Sequence, residues 1–484
     1  MNQELHNELS EICQHLQAQV RKDLIPTVQV RKARLQQVID MVVAESETLV
    51  QAISKDYMGR SHAFSTMTDI VGSLASLKYA RDNLEQWIKP YQTEIMVPYD
   101  QMGAEAFVQP QAKGAVGIMG TWNCPLYTIL APAACALAAG NTIAIKPSDN
   151  TPHTSAAFAT AARKYLDSDI ISVVTGDVSV SIAFAEQPWS HLVFTGSTQT
   201  GKKIMAAAAK NLVPVTLELG GKSPAILGLS VDVVDAARRL SIGKGNNGGQ
   251  ICISPDTVYL PEAVKDTFIT AFLSAYVDQY PELEGNQDIV PILNDTQYER
   301  LISYLSEALE HSTEVHFSHS VDLNTYPTHI QEHRKERRLP MSLIVNPNRD
   351  LGIAQEEIFG PLMVVRTYEK LSDVTDELAK QEKPLALYFF GDDQKEREYV
   401  VKHTTSGGMT INDALTHAAL QNAPFGGVGA SGMGHYHGEY GFKEFSHLRT
   451  VFVSPDYDFR TEYGLLPPYT ETFSQMMQAL VTRD

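Results

Sequence analysis

KGAVGIMGTWNCPLYTILAPAACALAAGNTIAIK, residues 113–146, carries no charged side chain between its two terminal lysines. A stretch of that length could cross a bilayer. Three interruptions argue against it: Trp122-Asn123-Cys124-Pro125, Pro132, and Gly140-Asn141-Thr142. They divide it into a strand (AVGIM), a loop, a helix (LYTILAPAACALAA) and a second strand (TIAIK). Strands buried on both faces, as in parallel sheets, read as unbroken apolar runs. The stretch therefore predicts a buried βαβ unit and no integral membrane segment.

The same rhythm runs outward. DIISVVTG and HLVFTG read as strands, the second leading into a helix, STQTGKKIMAAAAK. VPVTLEL and KSPAIL are strands around Gly220-Gly221, and DVVDAARRLSIGKG is a helix. PDTVYL, a helical KDTFITAFLSAYV, a polar stretch from Ser303 to Pro340, then MSLIVN and LMVVRTY follow. Alternating strands and helices predict an α/β fold with doubly wound parallel sheets. The first residues, MNQELHNELSEICQHLQAQV, are polar and acidic and read as a surface helix without the apolar centre of a secretion signal. The final ETFSQMMQALVTRD is too short and polar to span a membrane but could form an amphipathic helix.

A chain of 484 residues has room for two or three domains. Its 57 acidic residues outweigh 39 Lys and Arg, a net charge of −18. That opposes nucleic acid and anionic membranes, which need a basic face. The cysteines are Cys13, Cys124, Cys135 and Cys252, none in a CxxC pair. Neither a zinc ribbon nor a disulfide framework is indicated, and reduced thiols in the cytoplasm are expected.

Chemistry concentrates at four places. GGQICIS, residues 248–254, sets Cys252 in a glycine corner. A cysteine is usually a small buried hydrophobe, but such a corner can present sulfur and a peptide N–H to one ligand. Glu218 in VTLELGG is either the solvent-facing member of an alternating strand or a desolvated base at the carboxyl end of a sheet. Asn123 is either a loop former or an amide aimed at an oxyanion. Gly196-Ser197-Thr198-Gln199-Thr200-Gly201-Lys202 matches a phosphate-binding P-loop for seven positions. The eighth is Lys203, where Ser or Thr should hold magnesium. What survives is a strand, a glycine turn and a helix N-terminus, which is either a plain βα turn or a seat for a pyrophosphate. His435 and His437 form an H-x-H without further ligands, so no metal is expected.

The order Trp-Asn-x-Pro, Lys-Pro-Ser, Phe-Thr-Gly-Ser, Leu-Glu-Leu-Gly-Gly-Lys, Gly-Gln-x-Cys, Glu-Ile-Phe-Gly-Pro and Pro-Phe-Gly-Gly resembles the NAD(P)-dependent aldehyde dehydrogenase superfamily, from about Val108 to Val453. CISPDTVYL and PFGGVGASGMGHYHGEYGFKEFSH are similar to its class 3 branch, and NDAL at 412–415 to bacterial coniferyl aldehyde dehydrogenases.

The resemblance implies two Rossmann-like domains and a small β bridging arm. The NAD-binding domain would be 1–90 with 112–215, the catalytic domain 216–409, the arm 91–111 with 410–453, and the tail 454–484. It also implies roles. Cys252 would be the nucleophile, Asn123 an oxyanion donor and Glu218 the base that hydrolyses a thioester. Lys146, Ser148 and Asp149 would meet the adenosine ribose, and Gly196, Ser197 and Gly201 the pyrophosphate turn. Glu357 would hold the nicotinamide ribose, with Phe359, Trp122 and Leu219 near the nicotinamide. Asp149 stands where the family commonly has Glu, so NAD is expected and NADP remains open. A homodimer acting on a hydrophobic aromatic or medium-to-long aliphatic aldehyde is implied. A cofactor-independent cysteine acyl hydrolase, an acylating enzyme using coenzyme A, and a non-catalytic relative are the alternatives.

Overall fold

The computed structural model describes residues 3–96, 99–311, 313–319, 334–462 and 464–482. The chain forms two compact units, Met1–Trp87 with Ala112–Ser446, and Ile88–Gln111 with His447–Asp484.

Strands are numbered along the chain. The large unit holds β3 (Ala115–Met119), β4 (Thr142–Lys146), β5 (Ile171–Val173), β6 (His191–Thr195), β7 (Val215–Glu218) and β15 (Gly432–Met433) in one sheet, ordered β15-β7-β6-β3-β4-β5. Neighbours from β7 to β5 run parallel, and only β15 is antiparallel. The doubly wound reading of residues 113–146 therefore holds. Every residue of β3, β4 and β6 is buried. The helix Tyr127–Ala138 between β3 and β4 is buried along nearly its whole length, its run of alanines allowing close packing on both sides.

A second sheet contains β8 (Pro224–Leu227), β9 (Thr257–Pro261), β10 (Glu314–Phe317), β11 (Ser342–Val345), β12 (Leu362–Tyr368), β13 (Ala386–Phe390) and β14 (Gly408–Ile411). Its order is β10-β11-β12-β9-β8-β13-β14, parallel except for the edge pair β10–β11. The polar stretch from Ser303 to Pro340 contributes to this unit. Its first residues complete the helix Asp295–Glu310, which buries Leu301, Tyr304, Leu305 and Ala308 at helical spacing. Residues 320–333 of that stretch lie outside the described residues. The N-terminal helix Gln3–Lys22 is amphipathic and buries Leu9, Cys13, Leu16 and Val20.

The small unit holds a three-stranded sheet of β1 (Tyr91–Gln92), β2 (Glu105–Ala112) and β16 (Ser446–Val453). Tyr99 stands edge-on to Phe452 and Phe459, with ring centroids 5.4 and 5.0 Å away. The final helix is Glu471–Leu480. Residues 410–446, grouped with the arm on sequence, belong to the large unit instead. There β14 pairs with β13, and β15 pairs with β7, so hydrogen bonding ties the segment to both large sheets. No described helix is long and apolar enough to cross a membrane.

Candidate active site

The strand registers bring the sequence-selected residues to one edge of the first sheet. Met119 is level with Lys146 and Phe194, and Thr195 with Glu218. The loops that leave these carboxyl ends carry Trp122 and Asn123, Ser148 and Asp149, and Gly196 and Ser197. Open α/β sheets bind ligands at this edge, where the strand order reverses, here between β3 and β6. Cys252 and Glu357 enter from the second sheet, on the segments just before β9 and β12.

The Cys252 corner is built from left-handed backbone. Asn247, Gly248 and Gly249 have φ of 52°, 60° and 75°. A side chain on Gly249 would run into the carbonyl oxygen of Gly360, so only glycine fits there. Gln250 locks the turn. Its amide donates to the carbonyls of Asn247 (3.0 Å) and Pro291 (3.1 Å) and accepts from the Leu293 N–H (3.0 Å). Cys252 is partly exposed. Burial of the sulfur, then the charges of Glu357, Cys124 and Glu218, push its thiol upward, while its own peptide N–H pulls the other way. No side chain among these favours the thiolate.

Asn123 is 3% exposed, and its side-chain oxygen has no hydrogen-bond partner among the described residues. Its backbone is firmly held. The carbonyl accepts from Arg60 Nη1 (2.9 Å), Asn247 Nδ2 (3.2 Å) and the Tyr57 hydroxyl (3.4 Å). Asn247 Nδ2 also donates to the Gln250 carbonyl at 3.0 Å, joining the asparagine loop to the cysteine corner through one side chain. Arg60 is itself buried and paired with Asp69 at 2.8 Å, and Asp69 accepts the Leu126 N–H where the following helix begins. A side chain whose backbone is held this firmly suits an oxyanion donor, with Nδ2–H as the donating group. Asn123→Ala is expected to lower kcat by about 100- to 1,000-fold with little change in thermal stability. Steady-state kinetics beside a melting curve checks both.

Glu218 is 2% exposed, and neither carboxylate oxygen has a partner among the described residues. The solvent-facing alternative is thereby excluded. Burial, then the charge of Glu444, raise its carboxyl well above the ordinary range. A carboxylate kept without partners costs stability, so the site retains it for something other than folding.

Most residues selected for the cofactor follow the carboxyl ends of β3, β4 and β6. Lys146 is 2% exposed and donates to the Pro147 carbonyl at 2.9 Å. Burial lowers its ammonium, opposed by Asp149 and Asp177, so Asp149 lies within its field. The Ser148 carbonyl accepts from Ser155, and its hydroxyl from the Asn150 N–H. Gly196 donates its N–H to the Glu218 carbonyl at 3.0 Å, and a Cβ there would strike the Phe194 ring at 2.5 Å. Ser197 caps the helix Thr198–Ala209 by accepting the Thr200 N–H. Leu219 packs over Gly201 closely enough to exclude a side chain. Trp122 and Phe359 meet edge to face at 5.1 Å. Glu357 lies against Gly220, and burial with the Asp256 charge pushes its carboxyl up to about 8.

Sequence reading missed the supports. Asp256 accepts the Ile358 N–H at 2.7 Å and pairs with Lys222. Arg300 donates to the carbonyls of Glu357 (3.2 Å) and Ile358 (2.8 Å). Together they strap Glu357 and Phe359 in place. His437 is not a free ligand: Nε2 bonds the Tyr127 hydroxyl at 2.8 Å. Among the described residues no cluster could hold a metal.

Residues 16–451 match the aldehyde dehydrogenase family. A coniferyl aldehyde dehydrogenase of a Pseudomonas strain is 39% identical over 94% of this chain and 93% of its own. A probable coniferyl aldehyde dehydrogenase of Caulobacter vibrioides is 39% identical over 96% and 94%. Among solved structures, a substrate-bound Staphylococcus aureus AldH superposes with a TM-score of 0.88 at 31% identity, covering 97% of this chain and 99% of that one. This chain belongs to the aldehyde dehydrogenase family, whose members oxidise aldehydes with NAD(P). Within it, the chain is coniferyl aldehyde dehydrogenase-like.

Proposed function

We propose that this chain oxidises an aldehyde to a carboxylic acid through a covalent adduct on Cys252. The observation that carries this reading is the grouping of the Cys252 sulfur with the Glu218 carboxyl, which has no partner among the described residues, and with the Asn123 loop that Asn247 ties to the cysteine corner. The sulfur adds to the carbonyl carbon as a thiolate. The Asn123 amide and the Cys252 peptide N–H take the resulting oxyanion. When bound, NAD(P) supplies the acceptor for the hydride that the adduct must lose to become a thioester. Glu218 then takes a proton from water, the hydroxide oxygen bonds to the thioester carbon, and the C–S bond breaks. The acid leaves and Cys252 is restored. An acyl hydrolase would have no use for the cofactor cradle, and transfer to coenzyme A no use for Glu218.

Lys146, Ser148 and Asp149 would hold the adenosine ribose, Gly196, Ser197 and Gly201 the pyrophosphate, and Glu357 the nicotinamide ribose. Phe359, Trp122 and Leu219 would flank the ring. Asp149 is exposed, so its repulsion of a 2′-phosphate is screened but not abolished. NAD is the expected cofactor. Asp149→Asn is expected to shift the NAD:NADP ratio of kcat/KM toward NADP by about tenfold; an unchanged ratio assigns the discrimination elsewhere.

The domain reading places NAD binding on residues 1–90 and 112–215, and catalysis on 216–409. The three-stranded unit would bridge two copies in a homodimer, and light scattering that gives a monomer overturns this. The coniferyl-type aromatic substrate rests on the relatives, the medium-to-long aliphatic alternative on the class 3 resemblance, and a cytoplasmic site of action on the absence of CxxC pairs and of a disulfide framework. NADH formation with benzaldehyde, coniferyl aldehyde, hexanal and decanal tests the substrate class. No turnover with any of them, together with cofactor-independent ester hydrolysis, would favour the hydrolase.

A further inference from the structure

Glu444 ends the helix Gly438–Glu444, far from the catalytic residues in sequence. Its carboxylate is one-fifth exposed, and Oε1 accepts a hydrogen bond from the Thr216 hydroxyl at 2.9 Å. Thr216 and Glu218 are alternate residues of β7, so both side chains leave the same face of the sheet. The neighbouring edge strand β15 places Gly432 level with Glu218. Two residues on, Gly434 has no side chain where a Cβ would lie 2.6 Å from Glu444 Oε1 and 2.9 Å from the Thr216 hydroxyl oxygen. Gly434, just past β15, thus leaves this lane free of bulk. Behind Thr216, His191 Nε2 bonds the same hydroxyl at 2.8 Å, and Lys113 reaches both His191 Nδ1 (3.1 Å) and the Glu444 carbonyl (2.5 Å).

Resting on the reading of Glu218 as the base, we propose that Glu444, oriented by Thr216, is a positioning residue for thioester hydrolysis. Its negative charge keeps Glu218 a strong enough base to take a proton from water. Two carboxylates sharing one region hold protons more tightly than either alone. The groups facing Glu218 are otherwise Cys252 and Tyr436, and burial keeps the Tyr436 hydroxyl neutral. Facing Glu444 are His191, lowered to about 3 by burial and then Lys113, and Lys113 itself, lowered by burial. With His191 neutral, the cation facing Glu444 is Lys113.

The test follows acyl-enzyme breakdown with a p-nitrophenyl ester, where a burst reports acylation and the linear phase deacylation. In Glu444→Gln, the acid limb of the deacylation profile is expected to move to lower pH by about half a unit or more, with the plateau falling about three- to tenfold. The burst is expected to stay unchanged, and Glu444→Asp to restore the limb. Thr216→Val, which keeps the charge but frees it, is expected to fall between. An acid limb that stays in place in a folded Glu444→Gln protein overturns the inference. Glu218→Gln is run beside it: if that variant still deacylates normally, it is the assignment of the base that fails.

Discussion

Cys252→Ala is expected to abolish aldehyde-dependent NADH formation, by about ten-thousandfold or more, and to leave NAD binding and folding intact. The magnitude follows from chemistry: without sulfur there is no adduct from which hydride can leave. The fold can tolerate the change, because Cys252 is partly exposed and its corner is held by Gln250 and Asn247 rather than by the thiol. Burial raises the other three thiols to about 12, so acidity does not single out Cys252. Position does: its own N–H faces the sulfur, and Asn123 is tied to its loop. Matched alanine variants of Cys13, Cys124 and Cys135 should therefore keep most of the activity. Turnover, NAD binding by fluorescence, and mass spectrometry for a Cys252 acyl adduct together decide it. Retained turnover in Cys252→Ala, or an equal loss in Cys124→Ala, would overturn the assignment.

Residues that must be a particular kind for local reasons were legible in the sequence. The buried strands announce themselves as apolar runs, and Gly248-Gly249 as a turn that only glycine can make. Glu218 was legible only as a choice, because a carboxylate alternating with leucines also reads as solvent-facing, and its burial decides between the two. The supports were not legible, because each acts across a long stretch of chain. Arg60 reaches Asn123 from 63 residues away, Asp69 reaches Leu126 from 57, and Thr216 meets Glu444 across 228. An Arg, an Asp or a Glu in a polar stretch looks the same whether it faces water or a neighbour. The arm boundary misplaced at 410 has a similar cause. β14 and β15 are short, and only their partners β13 and β7 tell which sheet claims them. The helical part of the Ser303–Pro340 stretch hid its buried Tyr304, Leu305 and Ala308 among charged neighbours.

Glu218→Gln is expected to separate the two halves of the reaction. NADH should appear in a burst of about one equivalent per active site, after which steady turnover falls by about 100- to 10,000-fold. Glutamine has nearly the same shape, so the nucleophile, the oxyanion donors and the cofactor cradle remain. What is lost is a group able to take a proton from water. Burst and steady phases falling together would place Glu218 in the first half instead. The variant also has a stability signature. Burial holds the folded carboxyl well above its ordinary 4.5, so above that pH the unfolded chain gives up the proton while the folded chain keeps it. The unfolded state is therefore favoured progressively as pH rises from 4.5 to the folded value. Glutamine escapes that penalty. The thermal midpoint of Glu218→Gln minus that of the unaltered chain should grow from pH 5 toward neutrality and beyond. The same carboxylate would then account for both a loss of rate and a gain in stability, as expected of a group retained for chemistry at the fold's expense.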